Sequence, residues 1–271
     1  KANFGGKRIM LRFLESAINI AKKSGDFIIS HLEDEKIIEL KGISNLVTSI
    51  DRESEKIIIK YLEENFPEHS ILSEENGFLQ KNSDYTWIID PLDGTTNYAH
   101  RFPFFGVSIA LKYKEEIILG VIYDPIRKEL FYALKNDGAY LNDKKIAVSK
   151  TSNIADALIS TGMPYELTLD EKNFLPFINL SSRTHGIRRA GSAVLEIAYV
   201  ACGRLDGFWA RKLKPWDIAA GIILVKEAGG KVTDFNGNHI QLDSDTFLAT
   251  NGLIHDNMIE IIKLERIVIK K

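Results

Sequence analysis

Apolar residues recur at intervals of three and four early in the chain and at intervals of two in its middle, and this change of period sets the expected architecture. Leu14, Ala17, Ile18, Ala21, Gly25, Ile28 and Leu32 mark one face of a helix that begins near Met10. Ile50, Ile57, Ile58, Tyr61 and Leu62 mark a second helix between Asp51 and Asn65, closed by Pro67. Strand-like segments follow: SILSEE (70–75), TWIID (86–90), GVSIALK (106–112), IILGVIYD (117–124) and ELFYAL (129–134). The connections YKEE (113–116) and DPIRKE (124–129) have hairpin length and composition, so the strands they join are expected to be antiparallel neighbours.

Past NDKK (142–145) the texture alters. Helical segments near 171–180, 192–202, 217–228 and 255–266 alternate with short strands near 157–160, 205–210, 231–235 and 246–250, which reads as α/β layering. The expected plan is an N-terminal half (10–150), with paired helices on an antiparallel sheet, and a C-terminal half (151–271) with helices around a second sheet. The chain begins with Lys1, and KANFGG shows no periodic pattern, so residues 1–9 read as a cloning remnant or a loose arm.

Composition narrows the function classes. With 271 residues, 45% of them hydrophobic, the chain can bury a large core. Thirty-five basic against thirty-seven acidic residues leave a formal charge of -2, which advertises neither nucleic acid nor an anionic membrane as a partner. The single cysteine, Cys202, excludes an internal disulfide, and six scattered histidines show no zinc-ligand spacing. No apolar run reaches the roughly 18 residues that span a bilayer, and the start lacks the apolar core of a secretory signal. A cytoplasmic setting is the expectation.

The segment WIIDPLDGTTNYAH (87–100) holds the densest chemistry. Asp90 is read as ending a buried strand, after which Pro91 and Gly94 shape a turn that brings Asp93 back toward it. Two carboxylates that close repel unless a cation lies between them, and a hard divalent ion such as magnesium accepts carboxylates together with a backbone carbonyl, here that of Leu92. Gly94, Thr95 and Thr96 offer N–H groups and hydroxyls suited to a phosphate. A solvated turn is the bland alternative for a bare D-x-x-D. Likewise Glu74 and Glu75 can be surface charge, and Asp217, in PWDIAAG, can be an ordinary helix cap.

Taken together, NLVTSID (45–51), SEE (73–75), WIIDPLDGTTNY (87–98), GAYLND (138–143), RRAGSAVLEIAYVACGRLDGFW (188–209) and KPWDIAAGIILVKEAGG (214–230) resemble the inositol monophosphatase family, in family order from about Met10. The resemblance implies an αβαβα sandwich and a magnesium-dependent, lithium-sensitive phosphatase acting on inositol or sugar phosphates, commonly as a homodimer. It implies that Glu74, Asp90, the carbonyl of Leu92, Asp93 and Asp217 hold two or three magnesium ions. By the same resemblance, Thr95 and Asp51 orient the attacking water, with Glu74 sharing that task. Gly94 and Thr95 contact the phosphate, while Asp93, Gly191, Ser192, Ala193 and Asp217 contact the alcohol.

One departure bears on substrate. Many inositol-preferring members carry a glutamate seven residues before the helix aspartate, where this chain has Ala210 followed by Arg211. Loss of an acceptor beside a new cation favours a broader site or a second phosphate, unless Arg211, Lys212 and Lys214 form only a solvated basic loop. Fructose-1,6-bisphosphatase activity, alone or dual, and phosphoadenosine phosphate hydrolysis are therefore rival readings. A regulatory protein that binds RNA or the transcription machinery through SSRTHGIRRAG (181–191) is a rival of another class. Phe208, Trp209 and Trp216 are read as core, Cys202 as buried and inert, His100 as structural or exposed, and Lys41 as part of a lid near a third metal position.

Overall fold

The computed structural model describes residues 4–34, 38–40, 46–163 and 171–268. Helices α1 (Phe4–Ser30) and α2 (Ser49–Asn65) bracket a ribbon of β1 (Ile38–Leu40) and β2 (Leu46–Thr48). Next come β3 (Ser70–Ser73), β4 (Gly77–Leu79), β5 (Tyr85–Asp93), the short helix α3 (Thr95–Ala99), β6 (Gly106–Tyr113), β7 (Glu116–Asp124), β8 (Glu129–Leu134), β9 (Gly138–Leu141) and β10 (Lys144–Ile146). The remainder runs β11 (Leu158–Thr161), α4 (Glu171–Ser181), β12 (Gly186–Arg188), α5 (Ala193–Ala201), β13 (Gly207–Arg211), α6 (Pro215–Glu227), β14 (Lys231–Thr233), β15 (Thr246–Thr250) and α7 (His255–Ile262). Helix α1 starts at Phe4 rather than near Met10, because Gly5 and Gly6 weaken the local helical signal without preventing the helix. Lys41 lies outside the described residues.

Two sheets organise the chain. The larger has the order β10-β9-β8-β7-β6-β5-β3-β4, and the smaller β12-β11-β13-β15-β14. Both expected hairpins, β6–β7 and β7–β8, are antiparallel. The first sheet is not wholly antiparallel, however: β3 runs parallel to β5, with Ser73 opposite Ile89. The second sheet is mixed, with β11 parallel to both β12 and β13 and the other pairs antiparallel.

Apolar faces stack these elements into five layers. Ala17, Ala21 and Ile28 of α1 and Ile58 and Leu62 of α2 pack on the Trp87, Ile89, Val107, Ile109 and Val121 face of the large sheet. The opposite face, with Ile88, Ala110, Ile122 and Phe131, packs on α5 and α6, which in turn cover Phe208, Ala210, Phe247 and Ala249 of the small sheet. Trp209 and Leu248, on the outer face, lie under α7. The result is the expected αβαβα order. The two halves share one core across α5 and α6, although the chain passes from the first sheet to the second between Ile146 and Leu158.

Helix α6 is apolar nearly all round because both of its sides are covered. Its approach to β7 is so close that a Cβ on Gly120 would lie 2.7 Å from the Ala220 carbonyl oxygen. A Cβ on Gly221 would lie 2.5 Å from Ile197, so α5 and α6 also meet over a glycine. The small residues Ala219, Ala220 and Gly221 are thus what seats the start of α6 against the large sheet.

His255, at the start of α7, is completely buried. Thr233 Oγ1 donates to the Asp234 carbonyl at 2.7 Å, so it accepts from His255 Nε2 at 2.9 Å. Thr250 Oγ1 accepts from Gly252 N–H, leaving its own proton for His255 Nδ1 at 2.8 Å. The neutral imidazole satisfies every partner, and burial, helped by Lys231, lowers its pKa to about 4. The unfolded chain therefore binds the extra proton first, and the stability this histidine confers is lost as pH falls from about 6.5 toward 4, by up to roughly 3 kcal/mol. Denaturant titrations between pH 7 and 4 are expected to show a shallower decline in His255→Gln than in the parent chain; equal slopes would contradict this account.

Candidate active site

Asp90 and Asp93 both belong to β5, which continues through Pro91 instead of ending at Asp90 as the sequence suggests. In a regular strand, residues three apart face opposite sides. Here the pairing jumps from Asp90–Ser108 to Asp93–Gly106, so β5 carries one more residue than β6 over this stretch. That bulge shifts the side-chain phase and lets the two aspartates converge, and it accommodates a proline that has no ladder hydrogen to donate. The turn comes afterwards, at Gly94, whose φ of 91° suits glycine and opens α3.

Asp217 arrives from α6. Pro215 starts that helix, and the N–H of Lys214 donates to Asp217 Oδ2 at 2.7 Å, fixing the aspartate in the first turn where the helix dipole favours negative charge. One carboxylate oxygen from each of Asp90, Asp93 and Asp217 lies within 4.8 Å of the other two. Burial, reinforced by Glu74, Asp93 and Asp217, pushes the Asp90 carboxyl well above the ordinary carboxylate range. Burial and the charges of Asp93 and Glu74 do the same to Asp217. Asp93 is raised to about 6 by burial, against the opposing hydrogen bonds from Ser192 and Val194. Three crowded acids that favour protonation when alone are a set that a hard divalent cation would hold ionised.

Glu74 directly follows β3, and the parallel pairing of β3 with β5 brings it beside Asp90. It lines the same cavity of about 520 Å³ as Asp90, Leu92, Asp93, Gly94, Thr95, Gly191, Ala193, Arg211 and Asp217. Its carboxylate lies outside the tight group of three. Asp51 and Ser192 stand behind the cavity wall. Thr95 Oγ1 donates to Asp51 Oδ1 at 2.7 Å and lies 3.1 Å from the Leu92 carbonyl. The Ser192 hydroxyl donates to Asp93 Oδ2, which also accepts the Val194 N–H at 3.0 Å, so the start of α5 is tied to Asp93.

Arg211 touches the cavity, yet its guanidinium lies 4.9 Å over the Phe235 ring and 3.6 Å from Asp245, on the outer side of β13. Ala210 is buried toward α5 and α6, and the nearest atom to a Cβ on Gly162 would be its own Cβ, at 3.3 Å. Phe208 and Trp209 are core residues as expected, whereas Trp216 is half-buried and lines the cavity. Cys202 is only half-buried; its thiol points to the Tyr199 carbonyl, and burial raises its pKa. His100 is exposed at the end of α3.

The sequence reading missed three groups. Arg189 lines the cavity and supplies positive charge to its wall. Glu196 of α5 also lines it; it is buried and bonded to the Ala190 N–H at 3.1 Å, and burial raises its pKa to about 8. Asn97 Nδ2 donates to the carbonyls of Phe104 and Ala190, both at 2.7 Å, stitching α3 to the loop before α5. The Asn97–Ala190 bond joins the two halves and has no local sequence signal, while the Glu196–Ala190 and Asn97–Phe104 bonds are local but belong to loops without a periodic pattern.

Known proteins resemble the whole arrangement. The profile of the inositol monophosphatase family matches residues 10–266. Nus factor SuhB of Pasteurella multocida is 44% identical over 240 residues, covering 87% of this chain and 90% of that protein. Inositol-1-monophosphatase of Synechocystis is 43% identical over 250 residues, covering 91% and 87%. The crystal structure of extragenic suppressor protein suhB from Bartonella henselae superposes with a TM-score of 0.91 at 38% identity, covering 94% of this chain and all of that one. An IMPase/NADP phosphatase solved in complex with Mg2+ and phosphate gives 0.84 at 26% identity, covering 94% and 96%. With fold, order of segments and near-complete length in agreement, the chain belongs to the inositol monophosphatase family and is a phosphoric monoester hydrolase.

Proposed function

We infer that the protein hydrolyses inositol 1-phosphate and similar phosphate monoesters with magnesium, by direct attack of water. The convergence of Asp90, Asp93 and Asp217 beside Glu74 and the Leu92 carbonyl is the observation that carries this reading. These oxygen donors are of the kind that hard divalent ions prefer, and a related enzyme has been solved with Mg2+ and phosphate. Two or three such ions, when bound, would supply charge for the phosphoryl oxygens and the leaving alkoxide and acidify a coordinated water.

The protein's own groups do the positioning. Thr95 gives its proton to Asp51, which turns the hydroxyl oxygen into an acceptor for a water proton, and buried Asp51 is the base behind it. Glu74 lies on the same cavity wall and shares that orientation. Gly94 and Thr95 open α3 on the cavity wall, and their N–H groups are the contacts this reading assigns to the phosphate. Gly191, Ala193, Asp93 and Asp217 border the alcohol side, with Ser192 holding Asp93 and α5 in place. With Arg211 engaged by Phe235 and Asp245, Arg189, Lys212 and Lys214 are the cations beside the cavity that would meet a second phosphate. Lithium inhibition, a homodimer and a cytoplasmic setting belong to the same reading.

The decisive comparison is kcat/KM for inositol 1-phosphate, fructose 1,6-bisphosphate and phosphoadenosine phosphate at saturating magnesium. The first is expected to be the best substrate, and a strong bias toward either bisphosphate would replace the inositol reading by a rival. A second reading, association with RNA or the transcription machinery, is favoured by the relatives named Nus factor SuhB and by exposed Arg188 and Arg189 at the β12 edge. RNA binding that persists in Asp93→Asn would support it.

Asp93→Asn is expected to lower turnover by about 100-fold or more, since it weakens a metal ligand. Its metal-free stability is expected to hold, because it also removes one of three repelling charges. Near-normal turnover would reject the ligand assignment. Thr95→Ala is expected to reduce kcat by roughly 100-fold or more while KM changes little, as it loosens the water rather than the phosphate contacts. Steady-state kinetics showing an unchanged kcat would remove its role.

A further inference from the structure

Helix α2 has a buried face that its apolar periodicity does not explain. Asp51, Ser54 and Glu55 stand at i, i+3 and i+4, one above another, and are 1%, 0% and 0% exposed. A buried polar stripe is costly unless its groups are bonded. Each of these residues is bonded to a different piece of the candidate active site.

Asp51 accepts from Thr95 at 2.7 Å. Ser54 Oγ donates to the Pro91 carbonyl at 2.9 Å, inside the β5 bulge that brings Asp90 and Asp93 together, and is itself 2.6 Å from Ser24 of α1. Having given its proton to Pro91, Ser54 accepts from Ser24, so α1 completes the chain of bonds. Glu55 makes the largest set. Its Oε1 accepts the N–H groups of Glu75 and Asn76 at 3.1 and 3.3 Å, and its Oε2 accepts from Asn76 Nδ2 at 2.7 Å.

Those amides begin one residue past Glu74. The β3–β4 turn that presents Glu74 to the cavity is therefore clamped from below by a carboxylate on another element. The bond directions fix the backbone on the C-terminal side of Glu74, while the pairing of Ser73 with Ile89 fixes it on the other.

We propose that Glu55 is a positioning residue of the metal site, acting through the Glu75–Asn76 backbone to hold Glu74 against the Asp90, Asp93 and Asp217 group. The proposal rests on the magnesium reading given above. Its consequence is specific: Glu55 governs cation affinity and leaves substrate recognition alone, because it touches neither the cavity nor the alcohol side.

The test is magnesium binding measured by titration calorimetry on the substrate-free protein, alongside the magnesium and substrate dependence of hydrolysis. Glu55→Gln sets an NH2 group against the Asn76 amide or a backbone N–H, and Asn76→Ala removes only the side-chain bond from an exposed residue. Glu55→Gln is expected to weaken magnesium binding by about tenfold or more and Asn76→Ala by less, the range found when groups that orient metal ligands are removed. At saturating magnesium, kcat is expected to recover to within about twofold of the parent and the substrate KM to stay within the same factor. A residue needed only for folding would lower the melting temperature and leave magnesium affinity unchanged in the folded variants, and that result overturns the proposal. If Glu55→Gln does not fold, Asn76→Ala decides: parent-like affinity rejects the clamp. A parent protein that binds no magnesium would instead refute the metal reading itself.

Discussion

Everything in this protein is arranged around the mutual repulsion of Asp90, Asp93 and Asp217. Their carboxylate oxygens lie within 4.8 Å of each other. At that separation each ionised pair is opposed by roughly 3 kcal/mol at an effective dielectric of about 20, before the cost of burial is counted. No local preference gathers such groups. They stay together because each is fixed to an element that cannot retreat: a bulged central strand for two of them, and for the third a helix wedged between two sheets.

The wedge is the more demanding part. Helix α6 meets β7 over Gly120 and α5 over Gly221, at distances that leave no room for a side chain. Its apolar burial, on the order of 1.5 to 3 kcal/mol for each large side chain, is what can hold Asp217 against the repulsion of its neighbours. Asp93 in turn anchors α5 through Ser192 and Val194, so the acids serve the packing that confines them. A cation held by this cluster would neutralise it and relieve that repulsion, which would couple its binding to folding.

Around this centre the cavity wall is divided by charge. Acidic ligand candidates come from the large sheet and the start of α6, and the cations Arg189, Lys212 and Lys214 come from the segments beside the small sheet. Glu196 also lines this wall, and its bond to the Ala190 N–H ties α5 to the loop that carries Gly191. Ala210 faces α5 and α6 across from Gly162, in an apolar setting.

Much of this was legible in the chain itself. Periodicity located α1 and α2, which bury one face and repeat at 3.6, whereas the meander strands, buried on both faces, stood out as apolar runs between turn formers. The acids of DPLDG, SEE and PWD could be named because their immediate neighbours are turn formers, strand residues and a helix start. Tertiary structure alone decided how they meet. The phase of Asp93 relative to Asp90 comes from one unmatched residue against β6. The nearness of Glu74 comes from a parallel pairing that no hairpin connection announces. The inward face of Glu55 and the outward turn of Arg211 depend on partners twenty and more positions away. Local spacing encodes which way a residue faces on its own element, whereas register and crossover between elements are properties of the packed whole, so chemistry assembled across elements emerges only when they dock.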